Sequence, residues 1–188
     1  MRLNFLRKIE VKVDSQKLVL ESIRKIQESR KETYELIKDV NEEDFTFKEE
    51  DEKWCLAEII HHLTLIEEYT FAYIIHFKNK IPKSRLKAIT GKTRTKFKVP
   101  LEKFPKVEVP IKEIVPGRFM TKDLVLELMP SARKRLESHL LGFEDVLANA
   151  FQFSHPLLGK MNLFEWCDFL AIHEKHHQKQ IREILNSL

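Results

Sequence analysis

The chain has 188 residues, enough to bury a core without disulfides or other staples, and one domain spanning 1–188 is expected. Hydrophobic residues make up 43% and charged residues 33%, with only 4 Gly and 7 Pro, the profile of a helix-rich protein and not of a disordered or β-rich one. The net charge of +4 is unevenly spread: between Lys78 and Arg118 thirteen Lys or Arg face three Glu, a surplus of ten that leaves the remainder of the chain at −6.

The N-terminal stretch 1–14 interrupts its apolar residues with charge too often for a signal sequence, and no run is long enough to span a bilayer. Cys55 and Cys167 form no C-x-x-C motif and are expected as two reduced, partly buried thiols. A cytoplasmic location follows from both points.

Four helical segments are expected in chain order. The first, Asp14 to Val40, sets Leu18, Ile23, Ile26, Tyr34 and Ile37 among charged residues as one apolar stripe. The second, Cys55 to Lys78, carries Leu56, Ile59, Leu63, Ile66, Thr70, Tyr73 and Phe77 at steps of three and four. The connection that follows, 79–120, contains Pro82, Pro100, Pro105, Pro110 and Pro116 and exceeds any tight turn. Its length fits a crossover that leaves the second and third helices parallel, as in some four-helix bundles. The stretches Thr95–Val99 and Val107–Val109 suggest short strands within it.

The third helix is expected from Thr121 to Leu141, with Gly142 as terminator and Pro130 kinking it or splitting off a short first piece. The fourth begins at Asn162, where Glu165 completes a capping-box pattern, and runs to the C-terminus. The fold class is therefore all-α, a four-helix bundle with a long crossover between helices two and three.

Three histidines stand out from the eight. His62 lies in the apolar row Ile59, His62, Ile66, and His61, one step round, falls on a more exposed face. In the last helix Trp166, Leu170, His173, His177, Ile181 and Ile184 form one continuous row. Positions four apart share a face, so His173 and His177 can hold one divalent ion together, with His62 as a third ligand from another helix. An unpaired buried polar group costs about 1–3 kcal/mol, which three imidazoles in an apolar interior avoid most simply by sharing a cation. Three protein ligands leave one coordination position open, the arrangement of a reactive site. His176 lies about 100° round the helix and is expected beside the site or facing solvent. Gln180 shares the His177 face as an orienting partner. Glu58, one turn before His62, either acts on bound water or caps its own helix, and capping is the favoured role. His76, His139 and His155 stand alone.

Taken together, Trp54, Glu58, the pair His62–Leu63, HPLLGKMNLFEW (155–166) and HEKHHQKQI (173–181) resemble the DinB-like superfamily of metal-binding four-helix bundles, in its H-P-x-x-G / E-W branch. The resemblance covers nearly the whole chain, and His155, Pro156, Gly159, Glu165, Trp166, His173, His177 and Gln180 all fall at the family's spacing. It implies His62, His173 and His177 as the metal ligands, the same set that the helical rows select. The chain departs from the pattern at Cys55, where Ser or Thr is usual, so that the cap of the second helix is expected to be weakened or taken over by Asp51 or Glu52, and at His176, where Arg is usual.

The resemblance further implies a metal-dependent hydrolase or a thiol S-transferase, with one divalent ion, zinc or nickel, as cofactor. A small-molecule substrate, anionic or a low-molecular-weight thiol, is the expected partner, with Lys92, Arg94 and Lys96 available to an anion. The alternative is a non-catalytic bundle in which the ion stitches two helices and the basic 78–118 segment docks a partner. Nucleic-acid binding is disfavoured, because there is no helix-turn-helix pattern and the basic segment interleaves little aromatic residue beyond Phe97 and Phe104. A homodimer is common for bundles of this size, though no face marks itself as an interface.

Overall fold

A computed structural model of the chain describes residues 16–48, 50, 53–78, 80, 111–118 and 120–188. Four long helices carry the architecture: α1 (Lys17–Ile37), α3 (Leu56–Lys78), α4 (Lys122–Leu140) and α6 (Leu163–Ser187). Between them lie the short helices α2 (Glu42–Thr46) and α5 (Asp145–Ala150), a single 3-10 turn at Lys112–Ile114, and an antiparallel hairpin of β1 (Gln152–His155) and β2 (Gly159–Asn162). Among the described residues no helix is long and apolar enough to cross a membrane.

Cross-helix contacts fix the directions. Lys25 pairs with Asp168, Arg30 with Glu174, and Thr33 with Gln178, so α1 and α6 run parallel. Likewise Glu67 meets Arg133, Phe71 meets His139, and Lys78 reaches the Gly142 carbonyl, which sets α3 and α4 parallel. Gln27 against Glu137 and Lys38 against Lys122 make α1 antiparallel to α4. The bundle is thus up, down, down, up, and the expected crossover joins the two parallel central helices.

Its interior is layered. One apolar cluster gathers Ile23, Ile26, Ile74, Leu136, Phe151, Phe164 and Trp166, and a second gathers Ile37, Phe45, Leu56, Ile59, Met129 and Ile181. Between them, every long helix contributes one buried charge: Arg30, Glu67, Arg133 and Glu174. Arg30 donates from Nε to Glu174 (2.6 Å) and from Nη2 to Glu67 (2.9 Å), while Arg133 donates from Nε to Glu67 (2.8 Å) and from Nη2 to Glu174 (3.2 Å). Thr33 adds a hydroxyl to Glu174 at 2.8 Å. Two guanidinium groups and two carboxylates cancel in charge, and the adjacent carboxylates raise the Arg30 pKa although burial opposes it.

Helix ends are held partly from outside. The α1 N-terminus has no side-chain cap of its own, and Asp145 of α5 accepts from the Leu18 and Val19 N–H groups, both at 3.0 Å. At the other end Lys122 donates to the Lys38 and Val40 carbonyls, a cation at the negative pole of the helix. The capping box at Asn162 and Glu165 forms as expected.

The third helix forms over the expected span, with Pro130 inside it. Pro130 does not split α4, which continues from Lys122 to Leu140, so the short separate first piece offered as one alternative does not form. Pro130 lies on the exposed side of the helix. Gly142 follows the last turn but does not adopt a left-handed conformation, and a Cβ there would come within 2.6 Å of the Lys78 ammonium. Gly142 thus follows the end of α4, as expected of a terminator, beside the flexible Lys78 side chain. The strands expected at Thr95–Val99 and Val107–Val109, the cap residues Asp51 and Glu52, and the cations Lys92, Arg94 and Lys96 lie outside the described residues.

The hairpin explains most of the H-P-x-x-G / E-W motif in physical terms. His155 Nδ1 accepts from the Leu157 and Leu158 N–H groups (3.1 and 3.2 Å), and Gly159 takes φ +75°, a conformation that side chains resist. Glu165 caps α6, and the Trp166 indole donates to the Phe153 carbonyl at 3.3 Å while stacking on the Phe153 ring. The motif builds the hairpin that leads into α6 and seats the start of that helix.

Candidate metal centre

On α6, Glu174 faces α1 and α4, whereas His173 and His177 turn toward α3 at the same height. His62 meets them from α3, with ring centroids 5.4 Å from His173 and 5.0 Å from His177. His62, His173 and His177 each offer one nitrogen, and the three atoms lie within 4.8 Å of one another. The Nε2 atoms of His173 and His177 stand 3.2 Å apart. Two nitrogens bound at about 2.0–2.1 Å to one tetrahedral ion would be separated by about 3.3 Å.

Hydrogen bonding settles which nitrogen is free to coordinate. His62 Nδ1 lies 2.7 Å from the Ile114 carbonyl, an acceptor only, so Nδ1 carries the proton and Nε2 keeps its lone pair. His177 Nδ1 lies 2.7 Å from Gln180 Oε1 and is fixed in the same tautomer. This is the partner arrangement that metal-ligating histidines use. Trp54 covers one side, 4.8 Å from His62 and stacked at 6.2 Å on His177, and Phe169 stacks on His173 at 5.2 Å.

Burial depresses the basicity of all three rings. His62 is pushed down to about 4 and His177 to about 3, chiefly by loss of water, and His173 falls well below its ordinary value through burial and then the neighbouring imidazoles. Neutral imidazole is the form that ligates a metal.

A pH dependence follows for the metal-free protein. In the unfolded chain these rings protonate near pH 6.5, whereas in the native state they stay neutral, so the unfolded state binds more protons below that pH. Stability is fully present above pH 6.5 and falls as pH drops toward 4, with a slope of up to about 1.4 kcal/mol per pH unit for each ring. Urea midpoints measured between pH 7.5 and 4.5 should show this decline, and His62→Gln should flatten it.

The remaining expected residues divide clearly. Gln180 orients His177 as its helix position suggests. His176 lies edge-on to His177, centroids 5.6 Å apart, and is partly exposed. Glu58 Oε2 accepts from the Cys55 N–H at 3.1 Å and pairs with Lys48 at 2.9 Å, so it caps α3. Cys55 and Cys167 are both free and buried. His155, which stands alone in the sequence, packs on Trp166 and Phe169, the latter adjoining His173. Sequence reasoning did not find the Ile114 carbonyl, because a backbone acceptor 52 residues from His62 leaves no side-chain signal.

A four-helix bundle with a long crossover, carrying on its α3–α6 seam a three-histidine cluster that could hold a metal ion, defines the class of protein. The DinB superfamily model matches residues 25–181, and the chain belongs to that superfamily. It is 27% identical over 168 residues to the uncharacterized protein YuaE of Bacillus subtilis (strain 168), covering 84% of this chain and 93% of that protein. Among solved structures, a four-helix bundle protein designated TT2238 superposes with a TM-score of 0.59 at 18% identity, over 88% of this chain and 98% of the other, a likeness of fold.

Proposed function

We propose that this chain is a divalent-metal-dependent enzyme that binds its ion through Nε2 of His62, His173 and His177 and keeps a coordination position for a water or a small thiol. The observation that carries this reading is the convergence of three neutral imidazoles, two of them pinned by Nδ1 partners with Nε2 left to coordinate. A divalent cation held there would lower the pKa of a bound water from about 15.7 to as little as about 7, and would stabilise a thiolate in the same way. Zinc or nickel suits the donor set.

Each surrounding residue has a definable task. Ile114 and Gln180 hold the protons on Nδ1 and keep the rings from turning. Trp54 and Phe169 wall the cluster with apolar surface, which limits water around the reacting group. Glu58 is committed to its helix cap and to Lys48, and the reading assigns it no proton transfer. The reaction is hydrolysis, or transfer to a low-molecular-weight thiol, on a small substrate in the cytoplasm.

The test is ligand exchange at the loaded site. Adding a small thiol to the nickel form should produce a new sulfur-to-nickel charge-transfer band that saturates with thiol concentration. A spectrum unchanged at saturating thiol contradicts an open position and supports the alternative, an ion that only stitches α3 to α6.

A further inference from the structure

The two adjacent histidines of α3 are both tied to one short piece of the connection leading to α4. His62 donates from Nδ1 to the Ile114 carbonyl at 2.7 Å, and the Gly117 N–H donates to His61 Nδ1 at 3.0 Å. The piece is itself ordered: Ile114 N–H bonds the Ile111 carbonyl, Val115 N–H bonds the Lys112 carbonyl, and the Ile114 side chain is 8% exposed in the first apolar cluster. Consecutive helix positions point about 100° apart, so the segment straddles α3, holding one imidazole on each flank.

From this geometry we infer that His61 is a positioning residue for the ligand His62, acting through the 111–117 segment. His61 is not one of the three converging imidazoles and is partly exposed. Its acceptor nitrogen anchors Gly117, and that anchor holds the Ile114 carbonyl three residues earlier at the distance that fixes the His62 tautomer. Without it the turn is held by the His62 bond itself, its side-chain burial and its local hydrogen bonds. The Ile114 carbonyl then drifts, and His62 samples both tautomers. The ligand geometry thereby becomes sensitive to the end of the long crossover. The inference rests on the reading of His62 as a ligand, but its first consequence is visible without any metal.

The experiment compares wild type, His61→Ala and His61→Asn, since Asn places an acceptor oxygen close to the position of Nδ1. The first readout is the tautomer of His62 in the metal-free protein, from imidazole nitrogen chemical shifts. Wild type and H61N should show the proton on Nδ1, and H61A a mixture. The second is nickel affinity by competition with a chromophoric chelator, expected to fall about 10-fold in H61A, the low end for disturbing a ligand's partner, and to recover in H61N. An H61A protein with the wild-type tautomer and affinity overturns the inference, as does H61N behaving like H61A, which would mean that ring packing matters and the hydrogen bond does not. Should wild type bind no nickel while the tautomer still follows residue 61, the metal reading fails and the positional link is supported.

Discussion

Replacing His173 by Ala should abolish stoichiometric metal while leaving the bundle folded. His173 is the proposed ligand that shares a face with His177, their Nε2 atoms 3.2 Å apart, and it is the more exposed of the two. Its removal leaves two imidazoles on different helices, a bidentate site that cannot compete with buffer and water. The loss in affinity exceeds the 10–100-fold cost of disturbing an orienting partner, because a coordinate bond itself is gone. Circular dichroism should be nearly unchanged, since the metal-free rings already sit neutral in the structure. Elemental analysis of protein purified without added metal is the check, and a variant that retains one equivalent would show that the ligands have been assigned wrongly.

The largest stability effect is expected at Glu67, which lies outside the histidine cluster. Its carboxylate receives Arg30 at 2.9 Å and Arg133 at 2.8 Å, and both guanidinium groups are buried. Glu67→Ala strands two cations with Glu174 as the remaining counter-charge. Breaking a buried ion pair from one side costs about 3–5 kcal/mol, because the surviving charge is left without compensation. For a chain of this size that corresponds to a fall of roughly 6–20 °C in Tm. A differential scanning measurement at neutral pH decides it. A shift under about 2 °C would mean that water reaches the layer and screens it.

How much could be seen in advance depended on whether an interaction follows helical spacing. His173 and His177 are four apart, and Gln180 is three from His177, so all three fall on one face by arithmetic alone. His62 was marked by its apolar neighbours Ile59 and Ile66, and the length of the crossover indicated that α3 and α4 run parallel. The ionic layer was not legible. Arg30, Glu67, Arg133 and Glu174 sit among many exposed charges, and only the relative rotation of four helices reveals that these four turn inward. For the same reason Asp145 gave no sign of capping α1, nor Gly117 of anchoring His61. The hairpin was hidden differently: its strands have four residues each, and the motif that encodes its turn, His155 to Gly159, reads equally well as a loop.

The ionic layer and the histidine cluster also bear on each other. Glu174 and His173 are neighbours on α6 that face opposite ways, one locked to α1 and α4, the other aimed at α3. The salt bridges therefore fix the rotation of α6 about its own axis, and that rotation brings His173 and His177 to bear on His62.

The most direct test of the account is the X-ray absorption spectrum of the metal-loaded wild-type protein. It should show three imidazole nitrogens at about 2.0–2.1 Å together with a further light ligand that a small thiol replaces by sulfur. Absence of imidazole scattering, or a shell of four protein ligands that no thiol can enter, would contradict a shared cation with an open position.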